Sequence, residues 1–177
     1  MDNKATYCKY LNDLKNSHQY QGLSNDCGPF SISIVLNTLR KSQVYGQSLA
    51  NSTTGIIWKG ILPTLYRFPN GATFPWSVVQ IFKQYNLKGM WSILSTRKSI
   101  HRHLNDDCIV ILLIGRLIPL WAHYVILAAH LPQRGFGFID PGNPKKDLVW
   151  LTDKKLLKFW KSYAYSKIVI YPHKEIK

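Results

Sequence analysis

The sequence predicts an α+β fold: a helical N-terminal half packed on a mainly antiparallel sheet supplied by the C-terminal half. Three observations carry that expectation. Apolar residues in the first half recur at helical spacing, whereas those after Asp106 fall in short β-branched and aromatic runs. No repeat, low-complexity tract or Pro/Gly/Ser linker divides residues 1–177, which read as one unit with a cleft between the two halves. Finally, 46% of the residues are hydrophobic and 18% charged, enough for a chain of this length to bury a core without disulfides or a structural metal.

The elements follow in order. Pro29 sits where a first helical turn begins, and Phe30, Ile34, Val35, Leu36 and Leu39 continue a helix that ends near Lys41. A second helix over 75–85 carries Trp76, Val79 and Phe82 on one stripe, and a short third helix precedes Asp106. Strands are expected over 108–114, 121–129, 135–140, 148–151 and 167–171, with Gly115-Arg116 as the turn between the first two. One more helix, over 152–160, interrupts them.

The composition narrows the function classes. Cys8, Cys27 and Cys108 are an odd number without a CxxC pair, which argues against a disulfide framework or zinc knuckle and for a reducing compartment. The N-terminal residues Met1 to Cys8 lack the basic start and apolar run of a secretory signal, so a cytoplasmic location is expected. The apolar stretch 109–129 is long enough to span a bilayer, but Arg116, Pro119 and His123 would then sit in hydrocarbon, so no membrane span is expected. Lys plus Arg outnumber Asp plus Glu by 23 to 9, and nine of those bases lie between Lys145 and Lys177. An acidic partner is compatible with that charge; a solvated basic surface is the simpler reading, since no nucleic-acid motif accompanies it.

The chemistry concentrates in a few residues. Asn25-Asp26-Cys27-Gly28-Pro29 puts a thiol at the first turn of a helix, where unpaired N–H groups and the positive dipole end suit a nucleophilic sulfur. Cys8 and Cys108 read as small buried hydrophobes, and Asp26 as a helix cap. Gln21, six residues before Cys27, is placed to donate to an oxyanion together with the Cys27 N–H, with Gln19 as its rival. If Ala129 and Arg134 flank a tight hairpin, counting outward sets His123 opposite Asp140, close enough for the carboxylate to orient the imidazole. The turn Asp140-Pro141-Gly142-Asn143-Pro144 closes that strand. His101 and His103 point to different sides of a helix and have no Cys or carboxylate at metal-ligand spacing except Asp106 and Asp107, so no metal site is expected.

Taken together, Gln21, Asp26-Cys27-Gly28 before an apolar helix, His123-Tyr124-Val125-Ile126 and Asp140-Pro141 resemble the bacteriocin-processing, double-glycine-leader peptidases of the papain-like superfamily. A helix and strand across 80–91 and another across 99–114 fit the same pattern, so the resemblance spans nearly the whole chain. It departs after the nucleophile, where Pro29 and the bulky Phe30 replace small residues. The resemblance implies a papain-like fold with the active site in the cleft. It also implies Cys27 as nucleophile, His123 as general base and then acid, Asp140 as orienter and Gln21 as oxyanion donor. A peptide or protein substrate would be cleaved through a thioester, with no cofactor and no metal. An acyltransferase using the same site, and a non-catalytic peptide-binding module, are the alternatives.

Overall fold

Residues 5–53, 55–59, 62–68 and 71–172 are described by a computed structural model of the chain. Lys174 and Lys177 of the basic set, and Met1 to Lys4 of the N-terminal segment, lie outside the described residues.

A two-residue strand β1 (Thr6–Tyr7) and a short helix α1 (Leu11–Asn16) lead into α2 (Cys27–Arg40), whose chain leaves through Lys41 in the left-handed conformation. Helix α2 is buried along most of its length, including Phe30, Ile32, Ile34, Val35 and Leu36. Phe30 fits because α3 (Gly46–Ser52) presents a glycine to it: a Cβ on Gly46 would lie 2.5 Å from the Phe30 ring. The residue that departs from the resemblance is thus absorbed by a compensating small one.

The first half also contains strands that its helical reading omits. β2 (Gly55–Lys59) and β3 (Leu62–Arg67) pair antiparallel, with Trp58 opposite Pro63. Pro63 has no N–H to give a ladder, but both members of a two-stranded sheet are edges, where that loss is tolerated. Helix α4 (Pro75–Gln84) begins on the expected proline but is rotated from the expected stripe: Val78, Ile81 and Phe82 are buried, while Trp76 is exposed. The Trp76 indole N–H instead donates to the Leu65 carbonyl at 3.0 Å, which holds the ring over β3.

The remaining chain builds the main sheet from β4 (Lys88–Ser92), β5 (Ile109–Arg116), β6 (Trp121–Leu131), β7 (Gly135–Ile139), β8 (Val149–Leu151) and β9 (Lys167–Tyr171), with α5 (Arg97–Asn105) and α6 (Asp153–Lys161) between them. The order is β4-β9-β5-β6-β7-β8, every pair antiparallel, and β1 joins β6 where β5 leaves off. Strands β5, β7 and β9 are buried almost throughout, which is why they read as continuous apolar runs rather than alternating ones. The expected turn at Gly115-Arg116 is still strand; the chain reverses over residues 117–120. Stretch 109–129 is therefore a hairpin, and no helix among the described residues is long and apolar enough to cross a membrane. Helix α2 packs along β6, which brings the start of the helix to the start of the strand that carries His123.

Candidate active site

Cys27 is the first residue of α2 and is half-buried, whereas Cys8 and Cys108 are buried in the core. Asp26 holds the N-cap position, and its carbonyl accepts from the Phe30 N–H at 3.0 Å. Its side chain makes no capping bond, contrary to the expected role. The carboxylate is instead paired with Arg67 at the end of β3; the two residues are 6% and 3% exposed. Away from water, a neighbouring guanidinium offers the carboxylate more than one backbone N–H can. Burial in turn lowers the Arg67 pKa from its ordinary value. The Arg67 guanidinium also donates to the Ala50 carbonyl at 3.0 Å, so one side chain ties β3 and α3 to the turn that leads into Cys27.

Gly28 permits a second close approach. A Cβ there would meet the Thr73 side chain at 2.6 Å, and the Thr73 carbonyl accepts from the buried Tyr124 hydroxyl at 2.9 Å. Burial pushes the Tyr124 phenol well above its ordinary pKa, so it stays a neutral donor.

His123 lies between two groups. Its Nε2 is 2.6 Å from Asp140 Oδ1, and the ring also hydrogen-bonds the Cys27 side chain. With Nε2 turned to the carboxylate, Nδ1 is the nitrogen left for sulfur. The Gly142 N–H donates to the same Asp140 oxygen at 2.7 Å and fixes the carboxylate. A side chain at Gly142 would crowd both partners, at 3.1 Å from Asp140 Oδ1 and 3.3 Å from His123 Cε1. Burial acts to lower the His123 pKa, but the hydrogen bonds to Asp140 and Cys27 outweigh it, and the imidazole is pushed up to about 10.

The expected register is incorrect in detail. Leu131 pairs with Gly135 around a Pro132-Gln133-Arg134 turn, and the register shifts between Leu127 and Ala129 so that Ile126 faces Ile139. Continued one step, that ladder sets Asp140 opposite Val125, which makes His123 its diagonal neighbour rather than its direct partner. The irregularity at Ala128 matters. With the turn where it is, an unbroken ladder would set Asp140 opposite Ile126 and put it on the other face from His123. Ala128 is accommodated there because its carbonyl accepts from the Cys8 N–H at 2.8 Å, where β1 joins the sheet.

Gln21 lines the same groove as Cys27 and His123. Its amide N–H donates to the Ser24 carbonyl at 2.7 Å, and its buried Oε1 has no hydrogen-bond partner among the described residues. Gln19, the rival, is engaged elsewhere: it donates to the Val44 carbonyl and accepts from the Gly46 N–H, each at 2.8 Å. The segment before Cys27 is latched to the turn after β7 by two hydrogen bonds. His18 Nε2 donates to the Asp140 carbonyl at 3.1 Å, and the Gln21 N–H donates to the Pro141 carbonyl at 2.9 Å.

The groove encloses about 640 Å³. Beyond the polar cluster its walls are apolar, with Phe74, Leu113, Leu120, Trp121 and Tyr163 among them. From Phe74 an aromatic row runs outward, stacked on Trp76 at 4.5 Å between centroids and reaching Trp91 a further 5.9 Å on. His101 and His103 take no part: His101 packs against His130 at 4.3 Å between ring centroids, and His103 is buried beside Asp106. Among the described residues no group of three His, Cys, Asp or Glu side chains is arranged to hold a metal.

Arg67, Thr73 and His18 support this cluster without having been singled out in the sequence. Gly28 directly after the cysteine was the one local sign, since a glycine inside a first helical turn marks a close approach. Nothing near Arg67 or His18 in the sequence distinguishes them from surface residues.

No family model matches the sequence, and no curated protein matches it. Among solved structures, a candidate C39-like peptidase from Bacillus anthracis superposes with a TM-score of 0.70 at 13% identity, covering 98% of this chain and 100% of that one. A double-glycine-motif protease from an AMS/PCAT transporter, in complex with the leader peptide, superposes with a TM-score of 0.58 at 13% identity, covering 86% of this chain and 89% of that one. The chain therefore has the α+β, papain-like fold that its sequence resemblance implied.

Proposed function

We propose that this chain is a cysteine peptidase of the papain-like type, with Cys27 as nucleophile, His123 as base and acid, and Asp140 as the group that orients the imidazole. The reading rests on one observation: a single imidazole is hydrogen-bonded to the Cys27 side chain and, at 2.6 Å, to the Asp140 carboxylate. In the proposed cycle the Cys27 proton passes to His123 and sulfur adds to the peptide carbonyl carbon. The resulting oxyanion takes hydrogen bonds from the Cys27 N–H and from the second amide hydrogen of Gln21, whose first is anchored on Ser24. Collapse breaks the C–N bond as His123 returns the proton to the departing amine, leaving a thioester. A water molecule then gives a proton to His123 and its oxygen to the acyl carbon, and the thiol is regenerated as the acid leaves.

The leader-peptide complex of the double-glycine protease supports a peptide as the substrate class. The apolar walls supplied by Phe74, Leu120 and Trp121 favour hydrophobic side chains beside the scissile bond.

The test is reactivity. Iodoacetamide at neutral pH is expected to label Cys27 well before Cys8 or Cys108, both buried, and the labelled protein to lose turnover of an apolar peptide library. Slow, equal labelling of all three cysteines, or turnover that survives Cys27→Ala, would remove the reading.

A further inference from the structure

The hairpin between β5 and β6 ends in Leu117-Ile118-Pro119-Leu120, and its aliphatic side chains point into solvent: Leu117, Ile118 and Leu120 are 61%, 90% and 77% exposed. Residues 117–120 thus gather three exposed aliphatic side chains at one turn, a contiguous apolar patch of the kind that marks a contact surface. Beside them lies a dense patch of positive charge. The Arg116 guanidinium sits 5.1 Å from the centre of the Phe159 ring on α6, and Lys155 Nζ sits 6.0 Å from the same centre. Trp121, at the base of the tip, meets that ring edge-on at 5.5 Å, and the Tyr163 hydroxyl donates to the Trp121 carbonyl at 2.8 Å. The tip and α6 are therefore one surface. Lys154, Lys158 and Lys161 are also exposed on α6, and the helix's acid, Asp153, is paired with Arg97.

We infer that the β5–β6 tip and the basic face of α6 dock this protein onto an anionic lipid surface, the tip entering the acyl boundary and the cations meeting the headgroups. Two features favour lipid over other acidic partners. A nucleic acid would be met by cations and stacking rings, and gains nothing from leucine and isoleucine at the centre of the contact. An anionic bilayer offers an apolar layer beneath a negative one, and a tryptophan at the level of the headgroups is characteristic of such contacts. Leu120 and Trp121 also line the catalytic groove, so docking would turn the groove's mouth toward the membrane and its substrates toward chains held there. That last consequence depends on the peptidase reading; the docking does not.

The test is co-sedimentation of the full chain with vesicles of phosphatidylcholine alone and of equal parts phosphatidylcholine and phosphatidylglycerol. Binding is expected only to the second, weakening as salt is raised. Lys155→Glu with Lys158→Glu should weaken it at least about tenfold. Ile118→Asp, which removes no cation, should weaken it to a similar degree, and Leu117→Asn serves as the second tip variant should the first melt early. Cys27→Ala should bind as the wild type does, which separates failure of the docking from failure of the catalytic reading. Absence of binding to the anionic vesicles, or binding that survives both tip variants, would overturn the proposal. So would tip variants that lose only a protein partner.

Discussion

At His123 two opposed effects meet, and their balance can be read in two ways. Burial works against the charged imidazole, while Asp140 and Cys27 work for it and prevail. Asp140→Asn should therefore lower kcat by roughly 100-fold or more, because the asparagine can present its N–H₂ to Nε2 and favour the wrong tautomer; steady-state turnover of the same peptide checks it. The second reading is stability. A pKa raised from 6.5 to about 10 means that the folded chain holds the His123 proton more tightly than the unfolded chain does. That contribution is complete below about 6.5 and is lost as pH rises toward 10. Urea midpoints of the wild type and of Asp140→Asn should accordingly lie furthest apart near the lower pH and converge toward the higher one. The residues of this cluster were legible because each carries local context: a cysteine at a helix start, a histidine in an apolar strand, an aspartate before Pro-Gly. Arg67 has no such context, since its partner Asp26 is distant in sequence and only the fold brings them together.

Among the elements, the segments with strong periodicity or continuous apolar character were found within a few residues, as 167–171 became β9 and 75–85 became α4. What the sequence did not reveal was how they are rotated and aligned. The indole of Trp76 looks like core by type, yet the helix turns Val78, Ile81 and Phe82 inward. The β6–β7 pairing depends on a bulge at Ala128, and a bulge has no composition signal when the residue is an alanine inside an apolar strand. Hairpin β2–β3 lies in a stretch of the first half to which the helical reading assigned no element. That hairpin nevertheless carries the buried cation that holds the start of α2. Arg67→Met should cost about 3–5 kcal/mol, because it leaves the Asp26 carboxylate buried without its charge partner. Replacing both, with Asp26→Leu, should recover part of that loss, and denaturant unfolding of the three proteins tests both statements.

The whole molecule is a helix whose first residue is a thiol, laid against a sheet whose strand ends carry the imidazole and the carboxylate. The cleft between the halves was foreseeable from helices preceding strands, and its polar members from their order along the chain. The apolar walls were not, because Phe74, the Leu113 and Leu120 pair of the β5–β6 hairpin, and Tyr163 come from three separate stretches. Neither was the way the two halves are fastened. The Gln21 N–H, in a surface loop of the first half, is bonded to the Pro141 carbonyl of the second. A loop amide ordinarily trades its hydrogen for deuterium quickly, but this one can do so only when that bond opens. Its exchange should be slow, out of keeping with the loop around it, and should quicken in His18→Ala, which removes the neighbouring bond to the Asp140 carbonyl. One resonance would then act as a gauge of how often the two lobes part, readable without substrate or turnover.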